Sequence, residues 1–169
     1  MLIGKNFGMT MKVKKNQKAP NFKLDSTDSK VFELSKVKNG IIIYFYPRDN
    51  TPGCTLETKD FSKFYKKFKK LKYEVIGISK DNMKSHINFK KKYNVPFHLL
   101  SDENILVQKK YGVWGKKSFM GKKFMGTIRS TFVINRGMIL KTWKNVRVKG
   151  HAEEVLNFVK SYLFVLYQM

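Results

Sequence analysis

Residues 40–71 read GIIIYFYPRDNTPGCTLETKDFSKFYKKFKKL, and the change of period inside this stretch decides the fold. Its first part is a continuous apolar, β-branched and aromatic run bounded by Gly40 and Pro47, the pattern of a central strand covered on both faces. After Cys54, the residues Phe61, Phe64, Tyr65, Phe68 and Leu71 recur at helical spacing while lysines fill the other side, the pattern of an amphipathic helix packed on a sheet. Between the two lies a Thr-Pro-Gly turn followed by the chain's single cysteine. A thiol at the handover from a strand to a helix N-terminus faces unpaired backbone N–H groups and the positive end of the helix dipole, which both favour its ionised form. A lone cysteine is more often a small buried hydrophobe. The flanking residues reverse that reading and mark Cys54 as a candidate nucleophile.

Outward from this stretch the periods alternate. YEVIGIS at 73–79 reads as a second buried strand, and NMKSHINFKKKYN at 82–94 as a helix stopped by Pro96, which predicts parallel pairing of the strands. FHLLSDENILVQKKYGV at 97–113 predicts a short strand, an acidic turn and a helix started by Ser101 or Asp102. WGKKSFMGKKFMG at 114–126 reads as a loop. STFVINRGMILKTWKN at 130–145 is the clearest hairpin, turning at Asn-Arg-Gly. The segment 151–167 predicts a closing helix with Val155, Leu156, Phe158, Val159, Leu163 and Leu166 mostly on one side. Before the central strand, NFKLDSTDSKVFELS at 21–35 carries a weaker hairpin signal. The sum is an α/β chain in the order of a thioredoxin-like fold, a central mixed sheet flanked by helices. Residues 1–18 are basic and weakly periodic and read as an N-terminal arm, leaving 19–169 as one domain.

Composition narrows the function classes. One cysteine in 169 residues forms no internal disulfide, and the early apolar residues are broken by lysine, asparagine and glycine, so neither a disulfide scaffold nor a secretory leader is expected. The apolar runs IIIYFY and YLFVLY are far short of a membrane span, so no membrane partner is expected. A reducing intracellular compartment, nucleus or cytoplasm, fits these features. His86, His98 and His151 lie far apart without cysteine or acid at ligand spacing and read as core or surface residues. No metal or other cofactor is expected, and no Gly-rich phosphate loop is present. Thirty-five Lys and Arg against twelve Asp and Glu give a net charge of +23, a surface that attracts polyanions. An equal reading is a compositional bias that merely solvates the surface.

The pattern Pro47-x-x-x-Thr51-x-x-Cys54 resembles the active-site signature of peroxiredoxins, and TPGCTLE is similar to their bacterioferritin-comigratory (PrxQ) subgroup. KAPNF at 18–22, YFYP at 44–47, LLSDEN at 99–104 and the run from 111 to 134 resemble that subgroup in order, so the likeness covers 18–162. It implies a thiol-dependent peroxidase that reduces hydrogen peroxide and organic hydroperoxides through a sulfenic acid at Cys54. It also implies that backbone N–H groups at Gly53 and Cys54 meet the peroxide, and that Thr51 orients it while also serving as an N-cap candidate. Pro47 shields the thiolate or simply ends its strand. Arg129, placed just before STFVI, aligns with the family's arginine, whose forked charge holds thiolate and peroxide. Arg48 reads as solvated, and Glu57 as a first-turn acid outside the catalytic set.

The chain departs from the subgroup at Lys59, where many members carry a resolving cysteine. That implies a one-cysteine peroxiredoxin, monomer or weak dimer, reduced by an external thiol such as glutathione, glutaredoxin or thioredoxin. The alternative is a basic thioredoxin-fold module that binds DNA without sequence preference, alone or in addition to peroxidase activity. A disulfide oxidoreductase is disfavoured by the missing C-x-x-C pair.

Overall fold

The structure, a computed structural model, describes residues 16–169. Its elements are β1 (Lys23–Ser26), β2 (Val31–Glu33), β3 (Gly40–Phe45), α1 (Pro52–Lys70), β4 (Tyr73–Ser79), α2 (Met83–Lys92), β5 (His98–Ser101), α3 (Leu106–Lys110), β6 (Trp114–Phe119), β7 (Lys122–Thr127), β8 (Ser130–Asn135), β9 (Met138–Lys144) and α4 (His151–Gln168). A seven-stranded mixed sheet runs β2-β1-β5-β4-β3-β8-β9, and β6 pairs with β7 in a separate ribbon. This is the thioredoxin-like α/β architecture expected from the alternating periods.

The strand at 40–45 sits at the centre, parallel to β4 and antiparallel to β8, and all six of its residues are buried. Alternate side chains of one strand leave by opposite faces. Ile42 and Tyr44 join Phe61 and Phe68 of α1, Phe89 of α2 and Val155 and Val159 of α4 in one core cluster. Ile41, Ile43 and Phe45 pack on the other side with Tyr111, Val113 and the N-terminal Phe22. Period two in β3, rather than plain hydrophobicity, therefore divides the interior into two layers.

Tyr44 ties the strand to the helix that carries the cysteine. Its ring stacks on Phe61 at 4.7 Å between centroids, and its hydroxyl shares a 2.8 Å hydrogen bond with Thr58. The ring lies over Gly77 of β4, where an added Cβ would stand 2.7 Å from Tyr44 Cζ. Gly77 is thus a close-approach glycine rather than a turn.

Several expectations are corrected. The helix expected to start at Ser101 or Asp102 starts at Leu106, after Ile105 in the left-handed region (φ 53°). Asp102 still serves it, accepting from the amides of Val107 at 3.3 Å and Gln108 at 2.9 Å. Helix α2 ends at Lys92, where Asn94 turns left-handed (φ 51°) two residues before Pro96. Leu166 of α4 is exposed rather than packed, and Phe158 and Leu163 are half-buried. The segment at 114–126 is no loop but the β6–β7 hairpin, turning at Met120 (φ 52°) and Gly121 (φ 79°). Two consecutive left-handed residues make a tight hairpin turn, and methionine in the first of them hides the signal that Asn-Gly would give. Of the N-terminal arm, residues 1–15 lie outside the described residues. Residues 16–18 are hydrogen-bonded alongside Met138 and Ile139 of β9.

Replacing Gly77 with alanine pushes the Tyr44 ring off Thr58 and off Phe61. The expected cost is about 1–3 kcal/mol, the scale of overpacking a dense core, read as a lower urea midpoint at unchanged m. A midpoint equal to wild type would show that the Tyr44–Gly77 contact is slack.

Candidate active site

β3 ends at Phe45, and the loop 46–51 carries the chain from sheet to α1. A buried network fixes that loop. Asp49 is 5% exposed, and its carboxylate accepts from the Tyr46 hydroxyl at 2.6 Å, from Ser85 Oγ at 2.8 Å and from His86 Nδ1 at 2.8 Å. The other ring nitrogen of His86 lies 3.0 Å from the carbonyl oxygen of Leu100. Both ring nitrogens are thus held, one by the loop and the other by β5. The Asp49 amide donates to Asp81 at 2.9 Å, which also accepts from Ser79 Oγ. Asp49, Asp81 and His86 lie close enough together to approach a cation. Asp49 accepts from three protein donors and Asp81 from two, so the group reads as the clamp on the loop that leads to Cys54. His86, expected in the core or on the surface, is in the core.

The loop delivers Asn50 in the left-handed region (φ 64°), then Thr51 extended at the N-cap position, with Pro52 as the first helical residue. Thr51 does not use its hydroxyl as a cap. It donates instead to the carbonyl of Arg48 at 2.9 Å, while Arg48 itself faces solvent. The first helical backbone bond runs from Thr55 N to Thr51 O, so the amides of Gly53 and Cys54 precede the ladder, where helix N–H groups have no helical partner. Cys54 is 1% exposed.

Arg129 stands in the two-residue link between β7 and β8, its carbonyl accepting from Val146 N at 3.0 Å. One arm of its guanidinium donates to Cys54 Sγ at 3.4 Å and the other to Glu57 Oε1 at 2.6 Å. Gly53 makes room for it, since a Cβ there would lie 3.3 Å from Arg129 Nη2. Pro47 is half-buried just beyond β3. Arg129, Cys54 and Glu57 are thus joined by direct contact. Thr51, Gly53 and Pro47 reach the site through the chain around Cys54.

Glu57 differs from its expected place. It lies in the second turn of α1, faces inward and is 1% exposed. Burial pushes its carboxyl up to about 7 against the opposing charge and hydrogen bond of Arg129. Burial lowers the Arg129 guanidinium but is outweighed by the charges of Glu57 and Cys54, so its pKa moves upward. One pairing thus has unequal results: Arg129 is answered by two acceptors, while Glu57 Oε2 has no hydrogen-bond partner among the described residues. Lys117 of β6 was likewise unforeseen. Its ammonium donates to the Thr127 carbonyl at 2.8 Å, and burial followed by the Arg129 charge lowers its pKa, with Cys54 opposing. Among the other histidines, His151 shares a 2.8 Å hydrogen bond with Thr131, and burial lowers it to about 4, so it is neutral at pH 7. The signals for Glu57 and Lys117 were only helical phase and a hairpin hidden by its turn.

The chemistry open to this arrangement is that of a buried sulfur held between a fixed positive charge and the unpaired amides of a helix start. Such donors stabilise a thiolate before attack and an oxygen that gains charge during it. A cleft of about 870 Å³ lies between the end of α4 and β9 and is lined by none of these residues.

Stability should report the Glu57 carboxyl. Unfolded, Glu57 gives up its proton near its ordinary 4.5, whereas folded it holds it to about 7. The folded state therefore loses stability as pH rises from about 4.5 to 7 and levels off above. Relative to Glu57→Gln, wild type should lose about 3 kcal/mol over that window, measured by urea unfolding at a series of pH values. A difference that stays flat would place Glu57 in water.

The family model described as the AhpC/TSA family matches residues 16–142. Peroxiredoxin Bcp of Bacillus subtilis is 40% identical over 152 residues, covering 89% of this chain and 97% of that protein. The chloroplastic peroxiredoxin Q of Oryza sativa subsp. japonica is 41% identical over 163 residues, covering 94% and 72%. Among solved structures, a cysteine-to-serine mutant of Xylella fastidiosa PrxQ superposes with a TM-score of 0.84 at 34% identity, covering 89% of this chain and 98% of the other. The bacterioferritin comigratory protein of Xanthomonas campestris, described for its alkyl peroxide reduction activity, gives 0.79 at 34% identity, covering 83% and 91%. With the site built around a cysteine at a helix start and this similarity spanning nearly the whole domain, the chain belongs to the AhpC/TSA family, as a thiol-dependent peroxidase of the Bcp/PrxQ peroxiredoxin type.

Proposed function

We propose that the protein is a one-cysteine peroxiredoxin that reduces hydrogen peroxide and small organic hydroperoxides and is recycled by an external thiol. The observation that carries the reading is the Arg129 donor 3.4 Å from Cys54 Sγ at the start of α1. The thiolate attacks one peroxide oxygen, an S–O bond forms as the O–O bond breaks, and the departing oxygen takes a proton to leave as water or alcohol. Cys54 becomes a sulfenic acid. The amides of Gly53 and Cys54 and the Thr51 hydroxyl orient the two oxygens, Arg129 neutralises the growing charge, and Pro47 limits water around the sulfur. Glu57 acts as a positioning residue that holds the other arm of the guanidinium. The alkyl peroxide reduction of the Xanthomonas relative supports the substrate class.

Recycling follows from what stands at position 59. Lys59 lies exposed, 5.9 Å from the Tyr93 ring, and Cys54 is the chain's one cysteine. The sulfenic acid therefore condenses with a thiol of glutathione, glutaredoxin or thioredoxin, and a second thiol releases it. A reducing intracellular compartment, nucleus or cytoplasm, is the setting this chemistry needs. No helix of the described residues is long and apolar enough to cross a membrane. Binding to DNA rests on the net charge of +23 alone.

In a peroxide consumption assay with dithiothreitol, Cys54→Ser is expected to abolish turnover, and Arg129→Ala to slow it roughly a hundredfold, the scale of losing one charged donor. Turnover that survives Cys54→Ser sinks the reading, and an unchanged rate for Arg129→Ala removes that residue from the site.

Mass spectrometry after one equivalent of peroxide should show sulfenic acid, its over-oxidised forms or a mixed disulfide with added thiol. In Lys59→Cys an intrachain disulfide should appear only if α1 opens, because five residues of intact helix separate the two positions by roughly 7.5 Å along the axis. A rapid disulfide without loss of helical signal would contradict this.

A further inference from the structure

The β6–β7 hairpin stands apart from the main sheet, and its outer end is apolar in a way the fold does not use. Phe119 is 67% exposed and Met120, at the turn, 86% exposed. Behind them on β7, Phe124 and Met125 remain about half exposed, at 47% and 49%. Exposed Lys122 pairs across the ribbon with Phe119, and Lys123 pairs with Ser118. Exposed Lys116 lies three residues back from Phe119. From Glu103 to Glu153 the chain carries no acidic residue, so nothing on the hairpin or beside it in sequence offsets this charge.

A convex tip of phenylalanine and methionine, collared by lysines, has one well-matched complement: a surface that is anionic at its boundary and apolar just beneath. We propose that the β6–β7 hairpin docks on the anionic face of a lipid bilayer, with Phe119 and Met120 entering the headgroup–acyl boundary and Lys116, Lys122 and Lys123 resting on lipid phosphates. Lysine stems reach back along apolar surface while their ammonium groups stay at the charged level, which fits residues placed within one to three positions of the tip. A second copy of the chain is a poor occupant, since each would bring the same lysine collar to the contact. The expectation of no membrane partner was drawn from missing spans, and a chain without a span can still lie on a bilayer.

The base of the hairpin is the peroxide site. Val113, just before β6, accepts from the Ile128 amide at 2.7 Å, and Arg129 follows. Six strand residues put the tip roughly 20 Å from that base. Docking would hold Cys54 roughly 20 Å from the boundary where lipid hydroperoxides form. That consequence rests on the proposed peroxidase activity, whereas the docking itself does not.

The test is sedimentation of the full-length protein with phosphatidylcholine vesicles, with and without phosphatidylserine. Binding is expected to require phosphatidylserine. The charge-neutral double variant Phe119→Ser, Met120→Ser should lose at least about tenfold in partitioning, while Lys122→Gln with Lys123→Gln should lose roughly fivefold per lysine. Hydrogen peroxide turnover should be unchanged in the tip variant, which also certifies its fold. A gain-of-contact variant, Met120→Trp, should bind more tightly and shift its emission to the blue on phosphatidylserine vesicles. Absence of wild-type binding, or a tip variant that binds as wild type does, would overturn the proposal and leave the total charge acting alone. Equal loss of duplex DNA binding in the tip variant would make the tip a nucleic-acid contact instead. A wild-type dimer that the tip variant abolishes would make it an interface between copies.

Discussion

A guanidinium set mostly out of water must be answered by acceptors, and the architecture around Cys54 follows from how Arg129 is answered. Its two arms engage Glu57 at 2.6 Å and Cys54 Sγ at 3.4 Å, so one planar fork joins the β7–β8 link to the first two turns of α1. A buried ion pair of this kind contributes little net stability, because desolvation offsets most of the attraction. The raised Glu57 carboxyl, with one oxygen unpartnered among the described residues, shows that cost locally. What the pair secures is orientation: the fork has no freedom to leave the sulfur without stranding a buried carboxylate.

The fork would aim at nothing if α1 could slide on the sheet. Two sets of polar contacts prevent this from opposite ends of the strand-to-helix loop. Tyr44 and Thr58 join β3 to α1 across the core. Asp49, held by Tyr46, Ser85 and His86, joins the loop to α2. Networks in which every member is satisfied are rigid because any displacement exposes several unpaired groups at once. Loop residues, ordinarily the mobile parts of an α/β protein, are here tied down through Asp49.

The β6–β7 ribbon shows the opposite economy. It contributes Lys117 to the electrostatics of the site at its base, yet its far end buries almost nothing. An element that leaves phenylalanine and methionine in water has no folding reason for that composition, and its tip points outward rather than inward to a core.

Much of this was legible in the chain. The apolar run at 40–45, the helical spacing after Cys54 and the Asn-Arg-Gly hairpin specify their elements because backbone period and burial are coupled locally, within a turn or a pleat. The cysteine at a helix start was visible for the same reason, and position before STFVI together with the family pattern singled out Arg129. Tertiary structure alone decided the rest. Glu57 read as a first-turn acid because helical phase says which residues share a face but not that a guanidinium arriving 72 positions later will lie against one of them. Asp49 and His86 are 37 residues apart, and neither has a local signal, since their pairing exists only once α2 lies beside the loop. The ribbon at 114–127 was missed because Met-Gly carries weak turn information, and its strands are stabilised by pairing with each other rather than by a buried face. Local rules set the elements and the place of the Cys54 sulfur at a helix start; contacts between distant segments set which charges surround that atom, because electrostatic partners are chosen by distance in space and not along the chain.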